Sequence, residues 1–122
     1  MKILIDNDNK VSSEQNAEGM YNVMIVQQDK RKFKTGYIFD SIELIGEKAL
    51  LVCQKDSEGN KKFGLITAGF YTMYFPCIFD DVKLYKSKRD HDMLQVFIGN
   101  EDYYIRESGE VYSKEFLEIR RL

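Results

Sequence analysis

A chain of 122 residues is the size of a single domain, and its folding can bury roughly two thirds of the surface of the unfolded chain. The formal net charge of −2, from 18 basic and 20 acidic residues, provides no overall field for nucleic-acid phosphates and no polybasic membrane signal. The apolar runs are too short to span a bilayer, and the N-terminal residues do not form a secretory signal. We therefore expect a cytoplasmic protein in which Cys53 and Cys77 are reduced, buried thiols.

The composition and the order of short apolar segments predict an all-β chain. Tyr and Phe each occur 8 times and Pro occurs once, and aromatic residues favour the pleated surface of a sheet. Ile3–Ile5 is the first predicted strand, and the polar residues Ser12–Gly19 form a loop or one helical turn. Tyr21–Gln28 and Phe33–Phe39 then form a hairpin around a charged loop. Phe39–Leu44 alternates apolar and polar residues, which predicts a half-buried strand.

The stretch Lys61–Leu84 is the most regular part of the sequence. Before it, Lys48–Gln54 contains the continuous apolar run ALLVC, which is consistent with a strand covered on both faces. The loop Asp56–Asn60 contains a glycine and predicts a hairpin into the next strand. Pro76 cannot donate a hydrogen bond to a ladder, so it marks a sheet edge or a corner. The other predicted elements are strands at Lys61–Thr67, Phe70–Phe75, Phe79–Tyr85, Met93–Ile98, Tyr103–Arg106 and Val111–Tyr112, a tight turn at Gly99–Asn100, and a strand or short helix at Lys114–Leu122.

A repeat of about forty residues runs through the sequence. Ile38–Leu44 matches Ile78–Leu84, and both segments begin with Ile, Phe and Asp. A unit of this size cannot cover its own apolar face, so neighbouring units must stack. The other expected correspondences are Leu50–Cys53 with Leu94–Phe97, Leu65 with Ile105, Gly69 with Gly109, and Ile5–Val11 with Ile105–Val111.

These correspondences predict one domain, residues 1–122, of antiparallel β-hairpin repeats that form a twisted meander or an open barrel. In this prediction the chain begins and ends part-way through a repeat. The terminal part-repeats, Ile3–Val11 and Tyr103–Tyr112, then have open strand edges. The edges pair either within one chain, which gives a monomer, or between two chains, which gives a homodimer.

The best copy of the repeat consists of Lys62–Ile66, Gly69, Pro76 and Phe79–Val82. This pattern resembles the WG β-repeat family of bacterial proteins, in which a Trp-Gly strand is followed by a Pro and by a Tyr/Phe-Asp-Asp/Glu-Ile/Val segment. The signature Trp is replaced by Phe63 here and by Thr35 and Tyr103 in the two weaker copies. The resemblance implies a repeat scaffold that binds proteins, and it supplies no catalytic residues.

No residue set in the sequence forms a catalytic or metal-binding motif. His91 is the single histidine and lies in a charged loop, without converging partners for general-base or metal chemistry. Asp6–Asn9 has the acidic start of a calcium loop, but Val11 and Ala17 stand where that loop needs Gly and Glu. Asp80–Asp81 cannot act as a facing pair, because adjacent strand residues point to opposite faces. We therefore expect no enzyme activity, cofactor or metal.

The working hypothesis is a non-enzymatic protein-binding module. Eight tyrosines exceed what a core of this size can absorb with bonded hydroxyls, so some lie at the surface, where Tyr is favoured at interfaces. The module would use an aromatic sheet face or an exposed edge strand. The predicted partner-binding residues are Phe70, Tyr71, Tyr74 and Phe75.

Three alternatives stay open at the level of the sequence. One is a small inhibitor or regulator that blocks an enzyme or a host factor. The second is an enzyme or small-ligand binder that uses a pocket not visible in the sequence. The third is a nucleic-acid-binding β domain, although the net charge makes nucleic acid a weaker expectation than protein. The basic patch of that alternative consists of Lys30, Arg31, Lys32, Lys86, Lys88 and Arg89.

Overall fold

A computed structural model describes residues 2–6, 9–27, 30–45, 49–68, 72–85, 93–106 and 111–113 of the chain. Every regular element within these residues is a β-strand, so the predicted all-β class is confirmed. This part of the chain contains no helix that is long and apolar enough to cross a membrane. The strands are β1 (Lys2–Asp6), β2 (Asn9–Ser13), β3 (Met24–Val26), β4 (Lys32–Lys34), β5 (Ser41–Ile45), β6 (Ala49–Lys55), β7 (Lys61–Ala68), β8 (Thr72–Phe79), β9 (Asp81–Tyr85), β10 (Met93–Ile98), β11 (Glu101–Arg106) and β12 (Val111–Ser113).

The described strands form three antiparallel sheets of four strands each. Strands β1–β4 form the first sheet, β5–β8 the middle sheet and β9–β12 the last sheet, and each sheet keeps its strands in chain order. This is the arrangement of a meander, in which every strand pairs with its neighbour in the sequence. Such local pairing follows from the short polar turns that separate the apolar segments.

The middle sheet is covered on both faces, because one neighbouring sheet packs against each of them. Along β6, Leu50 and Val52 face the first sheet, whereas Leu51 faces the last sheet. The predicted coverage of the ALLVC run on both faces is therefore confirmed. The core between the first and middle sheets consists of Val11, Val23, Ile25, Phe39, Leu50, Val52 and Ile66. The core between the middle and last sheets consists of Ala49, Leu51, Leu65, Phe79, Val82, Leu94, Val96 and Ile105.

The third and fourth strands of the first sheet are shorter than the sequence predicted. Only Met24–Val26 of the predicted strand Tyr21–Gln28 forms a ladder, and Tyr21 makes an isolated bridge to Phe39. Side chains take over the hydrogen bonds that a longer ladder would have made. The Val23 N–H donates to the hydroxyl of Thr35 at 2.9 Å, in the way that short polar side chains compete with regular pairing.

The registers of the middle and last sheets are compatible with a repeat of about forty residues. Ser41 pairs with Cys53, and Asp81 pairs with Phe97, as the matched segments require. The next strand differs by one residue from the expected correspondence. Leu65 pairs with Leu51, and the residue in the same place of the last sheet is Tyr104, not Ile105. The hairpin loops differ in length, and this difference shifts the register.

The expected correspondence between Ile5–Val11 and Ile105–Val111 is wrong. Ile5 lies on β1, the first strand of the first sheet, whereas Ile105 lies on β11, the third strand of the last sheet. The two hairpins therefore have different positions in their sheets. Apolar residues around a polar turn occur in several parts of this sequence, so that pattern does not identify the position of a hairpin in its sheet.

Pro76 lies within β8, which is an edge strand of the middle sheet. The prediction of an edge at this proline is confirmed, because its missing N–H is tolerated on an edge. The pairing of β7 with β8 shifts register between Phe63 and Leu65. At Gly64 between them, an added Cβ would lie 2.5 Å from the carbonyl oxygen of Phe75. The irregular edge therefore depends on a residue without a side chain at Gly64.

The first prediction is that Gly64→Ala lowers the free energy of unfolding by roughly 1–3 kcal/mol, since backbone must move to admit the methyl group. Gly36→Ala is the control, because its added Cβ would meet no atom closer than 3.8 Å. Urea denaturation of the wild type and both variants measures the effect. Equal stability of the two variants would contradict the close approach at Gly64.

Candidate functional site

The repeated Phe-Asp segments have the same hydrogen bonds in the middle and last sheets. The Asp40 N–H donates to the carbonyl of Cys53, and its carboxylate accepts the Lys55 N–H at 2.8 Å. Asp80 repeats this geometry: its N–H donates to the carbonyl of Phe97, and its carboxylate accepts the Gly99 N–H at 2.8 Å. Each carboxylate therefore ties the entry of a sheet to the end of its first hairpin.

The carboxylates of Asp80 and Asp81 have separate partners and do not form a catalytic pair. Asp80 makes an ion pair with Lys62 in addition to its bond from Gly99. Lys62, followed by the Gly99 N–H, holds the pKa of Asp80 below its ordinary value. Asp81 bonds the N–H of the next residue, Val82. Both carboxylates are exposed, and the hydrogen bonds that Asp80 shares with Asp40 give the recurring aspartate a structural role.

A shallow groove of about 450 Å³ lies beside the first hairpin of the middle sheet. Both carboxylates on its wall are already bonded. Asp40 accepts the Lys55 N–H, and Asp56 accepts the N–H groups of Glu58 and Asn60. The Asn60 N–H is the main cause that lowers the pKa of Asp56. The groove is lined by Met20, Ile38, Asp40, Gln54, Lys55, Asp56, Lys62 and Cys77.

The thiol of Cys77 is the nucleophile nearest to this groove, and its surroundings suppress it. Burial, followed by the nearby Cys53, raises the pKa of Cys77 to about 11. The reactive form of a cysteine is the thiolate, so Cys77 is a poor nucleophile at neutral pH. The predicted free thiols are present in both positions, but Cys77 is half-buried where full burial was expected.

Metal ligands do not cluster in the part of the chain that the structure describes. No group of three or more His, Cys, Asp or Glu side chains there has the spacing to hold an ion. His91 lies outside the described residues, so its place in a loop stays a prediction.

Of the four aromatic residues predicted as one surface, the two that the structure describes, Tyr74 and Phe75, do not share a face. Tyr74 packs against Phe33 and Phe39 of the first core, with ring centroids 6.0 and 6.3 Å apart. Phe75, the next residue along β8, packs into the core shared with the last sheet. Adjacent strand residues point in opposite directions, and this separates the pair. Phe70 and Tyr71 lie outside the described residues.

The edge strand β8 exposes the predicted residue Tyr74 together with two large apolar side chains that the sequence analysis did not single out. Met73 is 42% exposed, Tyr74 38% and Ile78 52%. We call Met73, Tyr74 and Ile78 the β8 edge surface. It follows the outer edge of the strand and is not one sheet face, because the adjacent residues Met73 and Tyr74 point to opposite faces of the sheet. The sequence signal for this surface was Pro76. A proline marks an edge strand, and the apolar residues of an edge strand are exposed to solvent along its outer side.

Half of the basic patch predicted for a nucleic-acid-binding domain lies within the described residues. Lys30, Arg31 and Lys32 lie at the turn into β4 and are exposed, and Lys30 has a positive φ of 69°. The other predicted members of the patch, Lys86, Lys88 and Arg89, lie outside the described residues.

Comparisons of this chain with protein-family models, with curated proteins and with solved structures find no match. The WG-repeat likeness therefore remains a prediction from the residues. Function is inferred from the surfaces that the described residues present.

The second prediction concerns the pH dependence that the Asp80 bonds produce. A carboxylate whose pKa is lowered by folding stabilises the fold at pH values above the pKa that it has in the unfolded chain. This contribution is lost as the pH falls through the lower pKa of the folded protein. Asp80→Ala should therefore be less stable than the wild type at neutral pH, and the difference should shrink below about pH 4. Asp81→Ala is the matched exposed control. Urea denaturation midpoints over a pH series measure both, and a difference for Asp80→Ala that does not change with pH would contradict the assignment.

The third prediction is that Cys77 alkylates roughly a hundredfold more slowly in the folded protein than a model thiol does near neutral pH. The reason is the smaller thiolate fraction of a group whose pKa lies near 11 instead of 9.0. Iodoacetamide labelling followed by peptide mass spectrometry measures the rate at this residue alone. Labelling at the rate of the model thiol would contradict the suppression.

The raised pKa of Cys77 also makes the stability of the fold decrease as pH rises from about 9 towards 11, because the thiol of the unfolded chain loses its proton first.

Proposed function

We propose that this protein is a non-enzymatic protein-binding module that contacts its partner through the β8 edge surface. The observation that carries the proposal is the exposure of three large apolar side chains on a single edge strand. Apolar residues scattered singly over a surface are ordinary, whereas several on one strand favour an interaction site. In the described part of the chain, no other strand combines three such residues.

Tyr74 is the anchor of the proposed contact. Phe33 and Phe39 hold its ring in an edge-on and tilted packing, so the side chain is already ordered before a partner arrives. An ordered aromatic residue loses little conformational entropy on binding, and tyrosine is enriched among the residues that dominate interface energies. Met73 and Ile78 extend the apolar area along the same strand.

The contact is proposed to use side chains more than backbone pairing. Pro76 lacks an N–H and interrupts the ladder that an added strand would form along β8. A partner can still cover the exposed side chains on either side of the proline. The bonded carboxylates and the suppressed thiol of Cys77 support a binding role over catalysis.

Two further parts of the proposal concern the scaffold and its compartment. The equivalent registers of the middle and last sheets support a WG-type repeat scaffold, in which stacked sheets present surfaces to a partner. The free thiols of Cys53 and Cys77 support a reducing compartment such as the cytoplasm.

The fourth prediction tests the β8 edge surface with Met73→Ser/Ile78→Ser. The immobilised variant should lose a protein that the wild type enriches from a cell extract, because the apolar contact area is removed. The matched control is Leu84→Ser/Val111→Ser, which alters side chains that are 38% and 55% exposed on the last sheet. Quantitative mass spectrometry of the captured proteins measures the loss, and thermal unfolding verifies that both variants fold.

A protein identified in this way is then purified, and its affinity for the wild type and both variants is measured by calorimetry. We expect at least tenfold weaker binding for Met73→Ser/Ile78→Ser and little change for the control. Equal affinity of the two variants, or no specific capture by the wild type, would contradict the proposed surface.

A further inference from the structure

The outward face of the first sheet carries two rows of side chains across three strands. In one row, Lys10 of β2 pairs with Val26 of β3, and Val26 pairs with Lys32 of β4. Residues that are directly opposite in antiparallel strands lie on the same face. In the second row, Ser12 of β2 pairs with Met24 of β3, and Met24 pairs with Lys34 of β4. We call the two rows together the lysine face, which consists of Lys10, Ser12, Met24, Val26, Lys32 and Lys34.

The lysine face points away from the rest of the fold. The alternate residues of the same strands, Val11, Ile25 and Phe33, pack into the core against the middle sheet. Because neighbouring strand residues point in opposite directions, the lysine face lies on the other side of the sheet. Its three lysines are exposed, and Met24 and Val26 between them are half-buried.

The positive charge of this face is uncompensated within the described residues. None of its six members is acidic, and no residue in the described ranges makes an ion pair with any of its lysines. Lys10 and Lys32 are two strands apart, which is about 10 Å along the sheet. The face therefore holds separated cations on both sides of a narrow apolar strip.

Protection of an edge strand does not explain this arrangement. Lysines on β4 could serve to discourage pairing, since β4 is an edge strand of the first sheet. Lys10, however, lies on β2, which is paired on both sides by β1 and β3. A lysine on an interior strand has no edge to protect.

We propose that the lysine face docks an acidic protein segment, whose carboxylates pair with Lys10, Lys32 and Lys34 while an apolar side chain covers Met24 and Val26. The occupant is assigned from the complementary charge. The surface shares no residue with the β8 edge surface, and it goes beyond the function proposed for that strand.

A nucleic acid fits this face less well than an acidic segment. Sheets that bind single-stranded nucleic acid use aromatic rings to stack on the bases. None of the six residues of the lysine face is aromatic. The formal net charge of −2 also disfavours contact between a long nucleic acid and the protein surface outside the lysine face.

The fifth prediction uses a fluorescent peptide of alternating glutamate and valine as the probe. Fluorescence anisotropy with the full chain should detect binding that weakens with added salt, because the pairs are exposed. Lys10→Glu/Lys32→Glu should weaken binding at least tenfold. Lys55→Glu/Lys61→Glu is the control, since it alters two exposed lysines of the middle sheet by the same total charge and should change binding less than twofold.

Several outcomes would overturn this proposal. Equal weakening by both double variants would show an effect of net charge alone, and equal binding of a glutamine-valine peptide would remove the role of carboxylates. Tighter binding of a single-stranded oligonucleotide of the same length would assign the face to nucleic acid. Failure of the wild type to bind the probe would also end it.

Two further variants complete the design. Lys10→Gln/Lys32→Gln, which introduces no repulsive charge, should also weaken binding and retain the wild-type thermal unfolding. Met73→Ser/Ile78→Ser should bind the peptide like the wild type, so failure at the lysine face and failure at the β8 edge surface give different results. Loss of peptide binding in that second variant would contradict a separate lysine face.

Discussion

The burial of the middle sheet on both faces is the constraint on which the described structure depends. A four-stranded sheet with apolar residues on both faces leaves all of them in water when it is alone, and half of them when one sheet covers it. Full burial of a valine or leucine side chain contributes roughly 2 kcal/mol of transfer free energy. Leu50 and Val52 gain this against the first sheet, and Leu51 gains it against the last. The outer sheets therefore stabilise the strand ALLVC, and it fixes their places in the stack.

The Phe-Asp segments join successive sheets and show how a repeated motif can lack chemistry. Phe39 is buried in the core between the first and middle sheets, and Phe79 is buried in the core between the middle and last sheets. The aspartate that follows each ring bonds the backbone of the next hairpin. One residue fills the space between two sheets while its neighbour sets the entry of the next strand. A recurring carboxylate is thus a structural hydrogen-bond acceptor in this fold.

The surfaces proposed for function lie where the stack has no described neighbour. The β8 edge surface borders an edge strand, and the lysine face is the outer side of the first sheet. At the lysine face the alternate residues of the same strands pack into the core. The proposed binding there would use the second set of side chains that a half-buried strand presents. A partner would act on these surfaces as another sheet acts on the inner ones.

The sequence by itself determined the all-β class, the covered strand ALLVC and the edge at Pro76, because alternation and proline chemistry act over a few residues. Which side chains share a surface was decided only by the tertiary structure. It separated Tyr74 from Phe75 and placed Lys10 and Lys32 on either side of Val26 in one row. Register and sheet order depend on loop lengths and on packing between segments distant in the chain. A pattern within one strand contains no information on either.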